Sequence, residues 1–263
     1  MVLPSLDFGP VVFSLWILVF GLNSEILDPK SQISDLRLER MSPLIIAIDG
    51  PSGSGKSTLG RLLARALNLL YVDTGSMYRA IALAVIEAGI NPNDGELVTS
   101  VAESAEIDLE GDPDSLRVLL GGREITNLIR SERVTQVSSI VSAVPGVRRA
   151  MVARQREIAR QGAVLNGRDI GTVVFPDADV KFYLTADPEE RAERRHTENQ
   201  GTPVAATFDE TLSDMIERDK RDSTRADSPL RIAADATIVD STGLSIEEVL
   251  DRMIQTIRRK HLT

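Results

Sequence analysis

The stretch Leu44-Ile45-Ile46-Ala47-Ile48-Asp49-Gly50-Pro51-Ser52-Gly53-Ser54-Gly55-Lys56-Ser57-Thr58 decides the fold. An apolar run leads straight into a glycine-rich turn that fits G-x-x-x-x-G-K-[ST], the phosphate-binding P-loop. Leu44 to Ile48 read as a strand buried on both faces. Leu59 to Leu67 place apolar residues at helical spacing, so a helix is expected to begin near Lys56. Gly50, Gly53 and Gly55 lack a Cβ, so the backbone can wrap a phosphate with its N–H groups turned inward. The helix N-terminus adds free N–H groups and the positive end of its dipole. The spelling places Lys56 within reach of the β- and γ-phosphates and the Ser57 hydroxyl on Mg²⁺. Thr58 is a further hydroxyl near the α-phosphate. A loop that only turns the chain is the bland alternative, and the strand and helix on its two sides argue against it.

Composition narrows the rest. A chain of 263 residues suggests one domain with insertions, or two at most. Its hydrophobic fraction of 42% is ordinary for a protein that buries a core. There is no cysteine, hence no disulfide, thiol nucleophile or thiolate metal site, which fits a reducing cytoplasm. The formal net charge of −9 makes nonspecific nucleic-acid binding a poor expectation. A polyanionic small ligand would need positive charge gathered locally, and arginine-rich stretches offer it. The two histidines, His196 and His261, have no metal-ligand spacing around them, and a solvated surface role is expected for both.

Residues 1–41 look foreign to the rest of the chain. Val11 to Leu22 is an apolar run holding the only tryptophan. It falls short of the about 20 residues that span a bilayer, and it lacks the basic flank and small-residue cleavage site of a signal peptide. The expectation is that Met41 is the functional start and that the leader is an upstream over-extension or a disordered segment. A peripheral membrane tether is the alternative. N-terminal sequencing of the native protein separates them.

Downstream, Leu69 to Val72 read as a second strand ending in Asp73-Thr-Gly-Ser-Met-Tyr-Arg79, and a helix comes next with Met77, Ile81 and Val85 on its apolar side. Polar residues at the carboxyl end of a strand in an α/β sheet face the ligand crevice. Arg79, placed on the first turn of that helix, is therefore a phosphate candidate, with a surface arginine as the alternative. Asn91 to Ser104 read as a connector with a short helix. Ile107–Leu109, Leu116–Leu120 and Glu124-Ile125 read as short strands with turns at Asp112-Pro113 and Gly121-Gly122. This block interrupts the βαβ rhythm and is read as an inserted small domain. Two helical segments come next, about Ser131–Ala143 and Gly146–Arg160, broken at Pro145-Gly146. Ala163–Asn166 is the third core strand and feeds Gly167-Arg-Asp-Ile-Gly-Thr172. Val180–Leu184 is the fourth. Asp187 is read as the N-cap, and Pro188 as the first residue, of a helix carrying Arg191, Arg194 and Arg195. Gly201 and Pro203 mark a flap. A helix over about Asp209–Lys220 runs into Glu217-Arg-Asp-Lys-Arg-Asp-Ser-Thr-Arg225. Thr237–Val239 is the fifth strand, and Ile246–Ile257 a terminal helix capped by Ser245 with Glu248 three residues on.

The chain has no H-E-x-x-H, no G-x-S-x-G and no cysteine–histidine pair. Its chemical inventory is a phosphate loop plus arginines, which is what phosphoryl transfer needs: donor and acceptor in line, and charge neutralised on the moving group. Arginine stays ionised and grips phosphate with a planar fork. Arg79 and Arg168 sit where an acceptor phosphate would lie. Arg191, Arg195, Arg218 and Arg225 are placed to close from the flap side. Pairing of the helix arginines with nearby acids on solvated faces is the competing reading.

Taken together, Gly50–Thr58, Asp73–Arg79, Asn166-Gly-Arg-Asp-Ile-Gly-Thr-Val-Val-Phe-Pro-Asp177 and Glu217–Arg225 resemble bacterial-type cytidylate (CMP/dCMP) kinase, over about residues 42–260 and in the family's order. The P-loop is shared by many kinases; the Gly167–Asp177 segment is far more specific. The resemblance implies an α/β P-loop nucleoside-monophosphate kinase fold, with a parallel five-stranded sheet flanked by helices. It also implies a monophosphate-binding insert at about 105–160 and a short lid at about 196–207, within a domain spanning 42–263. It implies ATP as donor, Mg²⁺ at Ser57, and CMP or dCMP as acceptor. Lys56, Arg168, Arg191 and Arg218 would be catalytic. Thr74, Tyr78, Arg79, Arg168 and Arg218 would hold the CMP phosphate and sugar, and Asp222 a ribose hydroxyl. Ser139, Arg148, Asp169 and Arg225 would read the cytosine, whose N4 amino group a carboxylate or hydroxyl can accept. Thr74 stands where serine is common and keeps the hydroxyl; the leader has no counterpart in the family's pattern. A cytoplasmic monomer without nucleic-acid or membrane partners is expected. Rivals are a P-loop kinase for shikimate, dephospho-coenzyme A or another nucleotide, a nucleotide-dependent switch, and a membrane-tethered kinase. No N-K-x-D-like base reader favours a GTPase switch.

Overall fold

A computed structural model describes residues 43–199 and 207–261. The expectations for the leader, for Met41 and for the flap at Gly201 and Pro203 lie outside the described residues.

The glycine-rich stretch leaves strand β1 (Ile45–Asp49), whose Ile46, Ala47 and Ile48 are fully buried. Helix α1 (Lys56–Leu67) starts at Lys56, as the apolar spacing predicted. Strand β2 (Leu70–Asp73) and helix α2 (Thr74–Glu87) come next, then α3 (Gly95–Ser104). The interrupting block is real. Strands β3 (Ile107–Glu110), β4 (Arg117–Leu120) and β5 (Arg123–Glu124) form a separate three-stranded antiparallel sheet. It shares its core with the main body: Ile107, Val118 and Ile125 lie in one buried cluster with Val72, Met77 and Ile81. Helices α4 (Glu132–Val141) and α5 (Pro145–Ile158) come after it, with Pro145 opening α5 at its first position, where a missing N–H costs nothing.

The chain then returns to the main sheet through β6 (Ala163–Gly167) and β7 (Val180–Thr185), passes through α6 (Pro188–Asn199) and α7 (Phe208–Thr224), and ends with β8 (Thr237–Asp240) and α8 (Ile246–His261). The main sheet is parallel, in the order β2-β6-β1-β7-β8. β1 lies at its centre, and Asp49 pairs in register with Gly167 on one side and Tyr183 on the other. All the carboxyl ends therefore open on one edge, where ligands bind in this architecture. Capping obeys the sequence. Asp187 accepts from the Glu189 amide at 3.0 Å, and Ser245 and Glu248 exchange hydrogen bonds at the start of α8.

Three elements depart from expectation. Arg79 lies on the second turn of α2, because that helix begins at Thr74. α7 runs on to Thr224, so Arg218 and Asp222 share one face, with Arg225 at its end. The segment after Asp169, for which the sequence predicted no regular element, is a π-helical turn, Ile170–Val174. Both its ends are satisfied from elsewhere. Asp49 accepts the amides of Ile170 and Gly171 at 2.8 and 2.7 Å. Arg156 donates to the carbonyls of Val174 and Val173 at 2.7 and 2.9 Å. These distant partners have no local sequence signature, and such turns gather at functional sites.

Candidate active site

The carboxyl edge of the sheet opens into a cleft of about 450 Å³. Its floor is the glycine-rich loop. At Gly50 the backbone has φ 147°, and a Cβ there would lie 2.0 Å from the Leu184 carbonyl oxygen, so only glycine lets the loop leave β1 this close to β7. Lys56 is 7% exposed, and its Nζ donates to the Pro51 carbonyl at 2.5 Å and lies 3.4 Å from Ser54 Oγ. Burial, then the repulsion of Arg168 and Arg218, pulls its ammonium well below the usual lysine range. A negatively charged phosphate would reverse that pull. The exposed Ser57 hydroxyl accepts from Asn166 Nδ2 at 3.0 Å.

One wall comes from the ends of β2 and β6. Thr74 is buried with Oγ1 donating to the Asn166 carbonyl at 2.7 Å. Arg79 pairs with Asp73 at 3.2 Å, and its Nε is buried without a partner. Arg168 Nε donates to Asp222 at 2.8 Å. Burial opposes ionisation of Asp222, but Arg168, with Arg218 and Arg225 adding to it, holds the carboxyl below its usual range. Arg218 faces the same cleft; burial, then Arg168, brings its guanidinium down to about 10. Three guanidinium groups are thus crowded beside the loop, an arrangement that favours a bound polyanion.

Deeper in the cleft is a nearly dry polar cluster. Arg148, 1% exposed, pairs with Asp169 at 2.5 Å, donates to the Ser142 carbonyl at 3.1 Å, and lies 5.4 Å over the Tyr78 ring. Arg225 Nη2 is 3.8 Å from the other Asp169 oxygen and has no hydrogen-bond partner. Burial pushes the Tyr78 phenol up to about 12, so it stays a neutral donor. A carboxylate, free guanidinium N–H groups and an aromatic face together suit a flat heterocycle carrying both donors and acceptors.

Of the expected site residues, Ser52–Thr58, Thr74, Tyr78, Arg79, Arg148, Arg168, Asp169, Arg218, Asp222 and Arg225 all line this one cleft. Gly50, Pro51, Arg191 and Ser139, also expected at the site, are not among the residues that line it. Arg191, read as catalytic, faces away from the cleft: it is 6% exposed and spent on Ala186 O, Ser52 O and Asp219, behind the loop. Ser139 is not brought to the cleft; its Oγ donates to the Thr135 carbonyl, and the serines of that region on the wall are Ser138 and Ser142. Elsewhere, Arg194 pairs with Glu190 and Arg195 with Glu198, the surface pairing weighed for the helix arginines, although both also border the cleft. His196 is half-buried, with its ring edge-on to Phe208.

Sequence reasoning missed Asp49, which braces the Ile170 and Gly171 amides outside the cleft lining, and also Asn166 and the wall from Ser241 to Val249, which line it. The first two were within reach, since each is a polar residue at the carboxyl end of a core strand, the rule already applied to Asp73 and Arg168. Asp49 is 4% exposed. Burial raises its carboxyl to about 6, with the Gly171 and Ile170 amides opposing and Asp169 adding to the rise. The folded protein therefore holds this proton over a range, about pH 4 to 6, in which the unfolded chain has released it. The Asp49 contribution to stability falls as pH rises through that window. We expect the difference in unfolding free energy between wild type and Asp49→Asn to decline by on the order of 3 kcal/mol across it. Urea titrations at stepped pH measure this, and a flat difference would show that the buried carboxyl does not titrate there.

A family model described as cytidylate kinase matches residues 46–259. Among curated proteins, the chain is 47% identical to a cytidylate kinase of Geobacter sulfurreducens, over 82% of this chain and 94% of that one. It is 45% identical to one of Mycolicibacterium paratuberculosis, over 83% and 97%. It is 49% identical to one of Corynebacterium efficiens, over 81% and 93%.

Proposed function

Since the chain belongs to the cytidylate kinase family, we propose that its cleft transfers the γ-phosphate of ATP to CMP or dCMP, giving ADP and CDP or dCDP for pyrimidine nucleotide metabolism. The observation that carries the reading is the meeting, in one cleft, of the loop that holds a triphosphate and the buried Arg148–Asp169 pair that suits a cytosine. The loop amides and Lys56 take the β- and γ-phosphates of ATP. Arg79, Arg168 and Arg218 take the acceptor phosphate and the charge that spreads over the moving group. Asp222 is placed for a ribose hydroxyl, and Thr74 and Tyr78 complete the wall. Asp169 accepts from the N4 amino group, while Arg148 and Arg225 donate to the ring's acceptors. The 105–160 insert supplies Arg148, Ser138 and Ser142 to the acceptor end. The far wall, with Leu244, Ile246 and Val249, is apolar enough to take the donor base. No general base is needed, because positioning and charge neutralisation supply most of the acceleration.

Mg²⁺ fits this site. It prefers oxygen ligands, keeps several waters, and takes only one or two from protein. Ser57 Oγ would be such a ligand. Asn166 Oδ1 is buried without a partner in the same wall and would accept from a water on the metal. Bound there, the ion would neutralise charge on the β- and γ-phosphates. We expect Asn166→Ala to raise the Mg²⁺ concentration for half-maximal turnover by about tenfold or more. An unchanged Mg²⁺ titration would remove Asn166 from the metal's surroundings.

A monomer acting in the cytoplasm, where ATP is supplied, is part of the same reading. Among the described residues no helix is long and apolar enough to cross a membrane. Release of ADP measured across CMP, dCMP, UMP, AMP and shikimate tests the whole reading. CMP and dCMP should be used at least about tenfold better than the rest. Equal use of AMP or UMP would overturn the cytosine assignment.

A further inference from the structure

Arg191 and Asp219 have no place in the transfer chemistry, yet both are held against the phosphate loop. Asp219 Oδ1 accepts the Ser52 amide at 3.2 Å, and its Oδ2 lies 2.6 Å from Arg191 Nη1. The same Nη1 donates to the Ser52 carbonyl at 2.9 Å, while Nε is fixed on Ala186 O at 3.0 Å. One ion pair thus holds the peptide groups on both sides of Ser52. The next residue, Gly53, has φ 72° and fits so tightly that an added Cβ would lie 2.9 Å from the Arg191 carbonyl and 2.8 Å from Met215 Cε.

We propose that Arg191 and Asp219 act together as positioning residues that keep the phosphate loop in its binding shape from behind. The proposal rests on the reading that this loop holds the ATP phosphates. The loop's own bracing is the Lys56 Nζ contact with Pro51 O and the Ser54 Oγ bond to that carbonyl, 3.0 Å long. Lys56 gives up its share when it swings to a phosphate. The pair at Ser52 is external, so it survives nucleotide binding and keeps a glycine-rich segment from relaxing to other conformers. Arg191 also neutralises Asp219, whose bare carboxylate would otherwise lie just behind the phosphate-binding loop.

The test is a split between the two substrates. Asp219→Ala and Arg191→Met should each raise the KM for ATP by at least about tenfold. The Kd for CMP alone, measured calorimetrically, should stay within about twofold, because Arg148, Asp169 and Arg168 keep their partners. Asp219→Asn should recover part of the loss, since its amide oxygen still accepts from Ser52. Arg191→Met/Asp219→Asn should be no worse than Arg191→Met, because the bare carboxylate is gone. An unchanged KM for ATP, equal damage to CMP binding, or additive effects in the double variant would overturn the proposal. If Asp219→Ala does not fold, Asp219→Asn and Arg191→Lys carry the same comparison. Lys56→Met run alongside separates the two readings. Lost turnover there with normal ATP kinetics in the pair variants rejects only the positioning role; normal turnover in all rejects the loop assignment itself.

Discussion

Lys56→Ala is expected to lose turnover by about a thousandfold while the protein keeps its fold. The lysine is the one ammonium among the residues lining the cleft, it starts a helix at the loop, and on the proposed reading it reaches toward the bond being broken. Removing one preorganised charged donor from such a site costs about a hundred- to a thousandfold, or about 4 kcal/mol at the upper end. The fold should survive because the substitution deletes a buried charge and does not strand one. Pro51 O still receives the Ser54 hydroxyl, and among the described residues no carboxylate depends on Lys56 as its hydrogen-bonded partner. Thermal melting within a few degrees of wild type, with kcat measured by ADP release, checks both halves. Turnover near the wild-type rate would remove Lys56 from the chemistry.

Asp169→Ala should have the second large effect, and on two properties at once. It leaves Arg148, whose side chain is 2% exposed, as a buried charge without its carboxylate. Breaking a buried pair in this way costs about 3–5 kcal/mol, which for a domain of this size lowers the melting temperature by about 10 °C or more. On the proposed reading the preference for CMP over UMP should collapse as well, because the carboxylate assigned to the N4 amino group is gone. Asp169→Asn separates the two. It keeps the volume, and its amide nitrogen can turn a donor toward the ring. Uracil offers an acceptor where cytosine offers an amino group, so this variant should move toward UMP. An unchanged CMP-to-UMP ratio in both variants would take Asp169 out of base reading.

Much of this site was legible before any coordinates, because it is written in contiguous pieces at strand ends. The P-loop, Asp73–Arg79, Gly167–Thr172 and Glu217–Arg225 each declare polar residues where an α/β sheet opens, and the structure brings them to one cleft. What was not legible is direction. Arg191 and Arg195 lie on one helix four residues apart, yet one is buried behind the loop and the other borders the cleft. Nothing local to the sequence distinguishes them, since Asp219 and Ser52, which capture Arg191, are remote in the chain. Ser138, Ser139 and Ser142 pose the same problem on and just past α4, where helix rotation decides which hydroxyl faces inward. The π-helical turn was hidden for a related reason. Its two ends are satisfied by Asp49, from a strand far away in sequence, and Arg156, from the helix before β6.

The central position of β1 has a consequence for how the chain is made. Its neighbours in the sheet are β6 and β7, and Asp49 finds its amide partner at Ile170, 121 residues later. A nascent chain emerging from the ribosome therefore carries an early apolar strand with both edges unsatisfied until most of the protein has been synthesised. Such late, non-local closure slows folding and leaves a sticky edge open in the meantime. Truncated products that stop before β7 should collect in inclusion bodies or on chaperones, and the phosphate loop should be among the last parts of the molecule to take shape.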